Sequence, residues 1–372
     1  MDLSLTEEQR AVQRTFRDFT ARAVTPAARE LDERAEFPRA LFEEVGRLGF
    51  FGMRYPEPEG AGLDVLTYVL AVEELARGSL ALAAACTMQS LMGTFFVHRY
   101  ASAEDRARLF VPALAGEKIG TICMTEPDAG TDLFSMRTRA ERDGDGWRIT
   151  GSKTWITSAP VADFFTVLAR TGERALSIFL VERGAEGLVV GDRIEKAGVR
   201  ASPTSEVFFE GTPATALLGP EGEGATLLRE ILAEIRVMTA ALAVGVARAA
   251  YEEACRHATE RQQFGRPISK FQAIQMHVAE MATDLEAARR LTHWAAWRSD
   301  QGLENADEAA MAKLFASEAA QRICDRAARV TASYGYAAAS PIQRYVRDAR
   351  FTLIGGGTSE ILKINIARSR FR

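Results

Sequence analysis

Thr6 and Gln9 stand at capping-box spacing, and Val12, Phe16 and Phe19 then recur at the interval of an amphipathic helix. The interval returns in Leu41, Val45 and Leu48 after Pro38, and again in a long stretch after Asp64, so the first third of the chain predicts a helical bundle. The pattern changes near Lys118. Short runs rich in β-branched and aromatic residues, Trp147 to Thr150, Phe164 to Leu168, Leu176 to Val181 and Val207 to Phe209, alternate with Gly, Asp and Pro turns and predict a small β-domain, a sandwich or a barrel. Beyond the Gly222 to Gly224 linker, helical periodicity runs through Leu227 to Glu260, Phe271 to Arg298, Ala309 to Tyr334 and Pro341 to Arg350, a second bundle of four main helices. The expected class is therefore α+β: an N-terminal helical bundle (1–117), a central β-domain (118–220) and a C-terminal four-helix bundle (221–372).

Composition narrows the partners. With 372 residues, 47% hydrophobic and 26% charged, the chain can bury a large core and form more than one domain. Its 46 basic and 50 acidic residues leave a net charge of -4, with no bulk attraction for nucleic acid or an anionic membrane. Cys86, Cys123, Cys255 and Cys324 lie far apart with no paired spacing, which suggests buried free thiols in a reducing, cytoplasmic setting and no metal site. The start, MDLSLTEEQR, does not read as a secretory signal. The apolar run from Ser79 to Gly93 is alanine-rich and shorter than the ~20 residues a membrane span requires, so a core helix is expected and membrane insertion is not.

Four strings carry more specific information: MTEPDAGTD at Met124 to Asp132, GSKTWITSA at Gly151 to Ala159, RQQFG at Arg261 to Gly265 and GTSEI at Gly357 to Ile361. Together they resemble the acyl-CoA dehydrogenase family, FAD-dependent enzymes that oxidise acyl-CoA thioesters, and the resemblance covers essentially the whole chain. It implies the same order of helical, β and helical domains, a homotetramer, and an electron-transfer flavoprotein as the electron acceptor. It also implies that Met124, Thr125, Gly130 and Thr131 contact the flavin ring, its phosphates or the substrate, and that Trp155 and Thr157 face the flavin near N5. On a strand these two, spaced by two residues, share a face. Arg261 and Phe264, with Gln272 close by, would serve a flavin held in a neighbouring subunit, the guanidinium suiting a diphosphate. Thr358 and Glu360, at a helix N-terminus that suits an anion, would touch the adenosine or phosphate portion.

Each string also has a plainer reading: a Pro/Gly surface turn for 124–132, core filler for Trp155, a helix C-terminal cation for Arg261 and a first-turn carboxylate for Glu360. The segment Arg329 to Tyr336 departs from the family, which usually has a glutamine and then two glycines where this chain has Arg329, Ala332 and Ser333. Arg329 adds either a phosphate contact or a surface salt bridge.

The larger departure is at Gly356. Relatives usually carry there, just before GTSEI, the glutamate that removes the substrate α-proton. Others place it immediately before a helix arginine, here Arg236, but the preceding residue is Ile235. Glu234 is the nearest carboxylate, and one residue turns a side chain by ~100° around a helix. It is either a relocated base or a solvated helix glutamate. Arg236 is expected beside the pantetheine of the acyl-CoA, or else in an intersubunit salt bridge. Gly355 and Gly356 are expected to leave room for a bulky or branched acyl group. The expected activity is α,β-dehydrogenation of an acyl-CoA; an oxygen-using flavoenzyme on the same fold and a non-catalytic acyl-CoA-binding flavoprotein remain open beside it.

Overall fold

The computed structural model describes residues 4–371, so the first three residues of the MDLSL start lie outside it. The N-terminal bundle comprises α1 (Glu7–Phe19), α2 (Thr25–Arg34), α3 (Arg39–Arg47), α4 (Val65–Gly78), α5 (Leu80–Thr87) and the short α6 (Phe95–Tyr100), α7 (Ala103–Asp105) and α8 (Val111–Leu114). The capping box forms as the spacing predicts: the Thr6 hydroxyl accepts from Gln9 N, and the Gln9 side chain accepts from Thr6 N. Asp64 caps α4 by accepting from Thr67 N. The stretch Leu80–Tyr100 is long and apolar enough to cross a membrane by length and composition, but 83% of its apolar window is buried inside the protein. Cys86, Cys123 and Cys324 are buried, Cys255 is half-buried, and all four are free.

The strands are β1 (Gly120–Cys123), β2 (Arg139–Asp143), β3 (Gly146–Thr157), β4 (Phe164–Arg170), β5 (Leu176–Glu182), β6 (Leu188–Arg193), β7 (Thr204–Pro213) and β8 (Ala216–Leu217). They form one sheet in the order β6-β7-β3-β2-β4-β5-β8, with β1 added parallel to β4. Among the described residues, the β6-β7-β3-β2 half and the β4-β5-β8 half join at the single pair Arg139 with Arg170. A bulge in β3 between Lys153 and Ile156 buries two consecutive residues, Lys153 and Thr154. Trp155, inside the bulge, is exposed, Ile156 beyond it is buried, and Thr157 is half-buried, so Trp155 and Thr157 lie on the side away from Ile156.

The C-terminal bundle contains α9 (Gly224–Glu260), α10 (Gln272–Asp300), α11 (Ala306–Thr331), the single turn α12 (Ser333–Tyr336), α13 (Pro341–Thr352) and α14 (Ser359–Arg370). A small hairpin of β9 (Gln262–Gln263) and β10 (Arg266–Pro267) separates α9 from α10. Helix α9 is the axis of the molecule: its middle, from Val237 to Ala247, is buried between α4 of the first bundle and α11.

Ala332 ends α11 with φ 48 and ψ -131, a conformation that a Cβ disfavours and that glycine, the residue expected from the family pattern, adopts freely. Ala332→Gly should therefore stabilise the protein by about 1 kcal/mol, visible as a higher urea midpoint at unchanged slope.

Candidate active site

The turn from Met124 to Asp132 is less exposed than its Pro/Gly content suggests. Pro127, Asp128, Gly130 and Thr131 face solvent, but Glu126 is buried and Met124 and Thr125 are half-buried. The Glu126 carboxylate accepts from Arg137 N at 2.6 Å, from Thr138 N at 3.0 Å and from Lys153 Nζ at 2.9 Å. Lys153, fully buried on β3, also donates to Met124 O at 3.1 Å, and Thr154 N donates to Thr125 O at 2.9 Å. Burial by itself would raise the Glu126 carboxyl; the Lys153 charge and the backbone donors outweigh it and hold the group below the usual carboxylate range. The turn is thus fastened to the strand that presents Trp155. Neither Glu126 nor Lys153 was singled out from the sequence, because they lie on different elements and nothing local marks them as partners.

Trp155 has φ 59 and remains 57% exposed. A large indole held in a strained backbone and left open offers a flat apolar face. Thr157 lies on the same side, and its carbonyl accepts from the Thr121 hydroxyl at 2.6 Å.

In the C-terminal bundle, Thr358 caps α14 by accepting from Ile361 N, and exposed Glu360 occupies the first turn. The backbone N–H of Glu360 and the Thr358 hydroxyl lower its carboxyl pKa. The preceding turn, Gly355 to Gly357, lies against α9. Gly356 has φ 71, and a Cβ there would meet Thr239 Oγ1 at 2.7 Å and Ile235 Cγ2 at 3.7 Å. At Gly355 a Cβ would meet the Phe351 ring at 3.0 Å. The glycines do not open a void at these positions, which corrects the expectation of extra room: Phe351, Thr239 and Ile235 already fill it. Lys313, fully buried on α11, donates from Nζ to Gly357 O at 2.6 Å.

Three consecutive residues of α9 point three ways. Ile235 faces Gly356. Glu234 turns toward the N-terminal bundle and forms an ion pair with Arg54, whose guanidinium sits 5.9 Å from the centre of the Tyr68 ring. Glu234 is therefore not the solvated helix carboxylate that was one of its two readings; its side chain is only 15% exposed. Arg236 is buried, and its Nε has no hydrogen-bond partner.

Arg261, Phe264 and Gln272 cluster elsewhere. Arg261 follows α9 with its guanidinium over Tyr334, and Phe264 is 92% exposed at the hairpin. The 22 residues from Thr239 to Arg261 span ~33 Å of helix, so one chain does not bring this cluster to the Gly356 turn. Arg329 pairs with Asp325 one turn earlier on exposed helix surface.

The architecture and these strings agree with the comparisons. The family models described as "Acyl-CoA dehydrogenase, N-terminal domain", "middle domain" and "C-terminal domain" match residues 6–117, 121–212 and 222–371. The chain belongs to the acyl-CoA dehydrogenase family. It is 58% identical to the benzylmalonyl-CoA dehydrogenase of Aromatoleum aromaticum over 99% of both chains, and 37% identical to the short-chain-specific acyl-CoA dehydrogenase of Clostridium acetobutylicum over 100% of both. The butyryl-CoA dehydrogenase structure from Megasphaera elsdenii superposes with a TM-score of 0.96 at 32% identity, covering 100% of both chains. Acyl-CoA dehydrogenases are flavin enzymes that act on acyl-CoA thioesters, and α,β-dehydrogenation is the activity of this chain.

Two changes probe this geometry. Lys153→Met leaves the Glu126 carboxylate buried without its counter-charge and should cost about 3–5 kcal/mol in urea unfolding; adding Glu126→Gln should recover most of that loss. Gly356→Ala, normally a small gain through chain entropy, should instead cost about 1–3 kcal/mol, because φ is positive and Thr239 blocks the Cβ.

Proposed function

We propose that the chain is an FAD-dependent dehydrogenase of acyl-CoA thioesters that carry a carboxylate on the α-carbon, substituted malonyl-CoAs, in which loss of CO2 replaces removal of an α-proton. The carrying observation is that neither family position for the base holds a carboxylate. Gly356 and Ile235 stand there, and the neighbouring Glu234 is committed to Arg54. A thioester α-proton is too weakly acidic to leave without a positioned base. A malonyl thioester needs none: the C–CO2 bond breaks, its electron pair stays on the α-carbon as the thioester enolate, and a hydride then leaves the β-carbon. The products are an enoyl-CoA, CO2 and reduced cofactor, and no proton need be taken up by the protein. The name of the 58% identical relative fits, since benzylmalonyl-CoA is such a thioester.

FAD, when bound, supplies the hydride acceptor. The exposed Trp155 indole, held at φ 59 beside the fastened turn, fits a planar ring, and Thr157 lies on the same side. The backbone and hydroxyls of Met124, Thr125, Gly130 and Thr131 would border the ring and thioester, and Thr358 and Glu360 the adenosine or phosphate end. The ~33 Å between Thr239 and Arg261 fits an assembly in which Arg261, Phe264 and Gln272 serve a neighbouring subunit's cofactor, and the family resemblance implies that the assembly is a homotetramer. Arg329 is assigned to Asp325 and the helix surface, not to the cofactor. Glu234 is assigned to holding Arg54 and the two helical domains together. Electrons would pass to an electron-transfer flavoprotein, as the family resemblance implies.

Anaerobic titration of the FAD-loaded enzyme with benzylmalonyl-CoA and with phenylpropionyl-CoA, the same skeleton without the carboxylate, tests the reading. Benzylmalonyl-CoA should bleach the oxidised flavin and release CO2 in equal amount, phenylpropionyl-CoA should bleach it far more slowly, and Glu234→Gln should still react. Equal bleaching by phenylpropionyl-CoA, abolished in Glu234→Gln, would instead establish a relocated base.

A further inference from the structure

We propose that Arg236, backed by Lys313, forms an anion site beside the Gly355 to Gly357 turn that receives the α-carboxylate of the substrate. This rests on the malonyl-type reading above and adds the residues that select for it.

Arg236 is only 8% exposed, its Nε has no partner, and among the described residues it forms no ion pair. The acid whose charge it feels, Asp307, is part-exposed and forms no ion pair with Arg236; it lies 3.9 Å from Arg370, so it neutralises Arg236 only in part. A buried guanidinium without a counter-ion is costly to maintain and calls for an anion. Its position says which anion. Ile235 and Thr239 border Gly356, and Arg236 follows Ile235 at ~60° around the helix from Thr239. It therefore emerges beside the place from which the family's glutamate would reach the α-carbon. Lys313 lies within electrostatic range of Arg236 and spends one hydrogen bond on Gly357 O, leaving further N–H donors. Burial first, and then the Arg236 charge, push Lys313 down to about 8, against the pull of Glu318 and Glu360. Two buried cations thus flank a turn that carries no side chain.

Thr239 cannot serve the anion as a donor while its hydroxyl donates to Ile235 O at 2.8 Å. Within an acyl-CoA, the pantetheine arm is neutral and the phosphates lie at its far end. An anion that can reach a cation beside the α-carbon is a carboxylate on the acyl group.

Malonyl-CoA and acetyl-CoA differ only in the α-carboxylate, and neither has a β-carbon from which hydride could leave. Their affinities for the FAD-loaded enzyme, measured by calorimetry with CO2 release monitored, therefore isolate the site. Wild type should prefer malonyl-CoA by ~10-fold or more. Arg236→Gln should bring the two within ~3-fold by weakening malonyl-CoA far more than acetyl-CoA, and Lys313→Met should cause a smaller loss of preference. Arg236→Lys, which keeps the charge but not the planar fork, should retain part of the preference and serves if the glutamine variant does not fold. Full preference in Arg236→Gln or Arg236→Lys together with Lys313→Met would overturn the assignment. So would equal weakening of both thioesters, which marks a pantetheine contact, or loss of FAD without ligand, which marks a cofactor contact. Absence of preference in wild type would sink the malonyl-type reading as well, so the two failures are distinguishable.

Discussion

Helix α9 can lie against α4 because position 245 has no side chain: a Cβ there would fall 2.6 Å from Ala76 Cβ and 2.6 Å from Glu73 O. This close approach fixes the N-terminal bundle against the C-terminal one. Buried charge then locks the contact. Glu73 meets His293 at 2.8 Å and Arg289 at 3.2 Å, while Glu74 meets Arg17 at 3.1 Å and Arg248 at 2.9 Å, both carboxylates being fully buried. Such pairs add little net stability over apolar packing, but they penalise any other register, since a slip would strand a charge. Because α9 cannot rotate, the directions of Glu234, Ile235, Arg236 and Thr239 are settled, and with them the composition of the site.

The rotational setting of α9 decides the chemistry as much as the residue at 356 does. Turned by one residue, α9 would present Glu234 where Ile235 now stands, and a base would be available. Instead Arg54 draws Glu234 into the interface between the bundles. The same setting leaves Arg236 buried and, among the described residues, without an ion-pair partner. Neither base position therefore holds a carboxylate, while cationic charge is left to spare, a combination suited to a substrate that brings its own carboxylate and poorly suited to one that must surrender a proton.

Features set by neighbours in sequence were legible. The Thr6 capping box, the Asp64 cap, the β4 and β5 runs and the four long C-terminal helices follow from patterns a few residues long, and the structure has them. The shared outward side of Trp155 and Thr157 was also readable, although the bulge that makes it so, with Lys153 and Thr154 both buried, was not. Contacts between distant segments gave no signal: Glu126 with Lys153, Arg54 with Glu234, Lys313 with Gly357. The glycines misled for a related reason. A missing side chain can mean open space or close approach, and only the structure shows Phe351 and Thr239 already against the turn. Ala332 and Arg329 were legible as departures, but whether each meant strain or a surface ion pair depended on φ and on Asp325.

A cation that grips a carboxylate opposes its loss as CO2, because the negative charge leaves that group for the thioester oxygen. The opposition is limited by distance: Coulomb attraction falls as the inverse of separation, and the enolate forms only a few bonds from where the carboxylate was. Arg236 keeps much of its attraction if the charge moves past it, and loses all of it if the charge departs. Among the described residues the buried guanidinium has no ion-pair partner, so binding a carboxylate relieves an existing penalty, and plain acyl-CoAs are discriminated against. Part of that relief must be returned as CO2 forms, which slows the step relative to a neutral pocket. A protein carboxylate set beside Arg236 would make the opposite exchange, neutralising the guanidinium and supplying a base while repelling any carboxylated thioester.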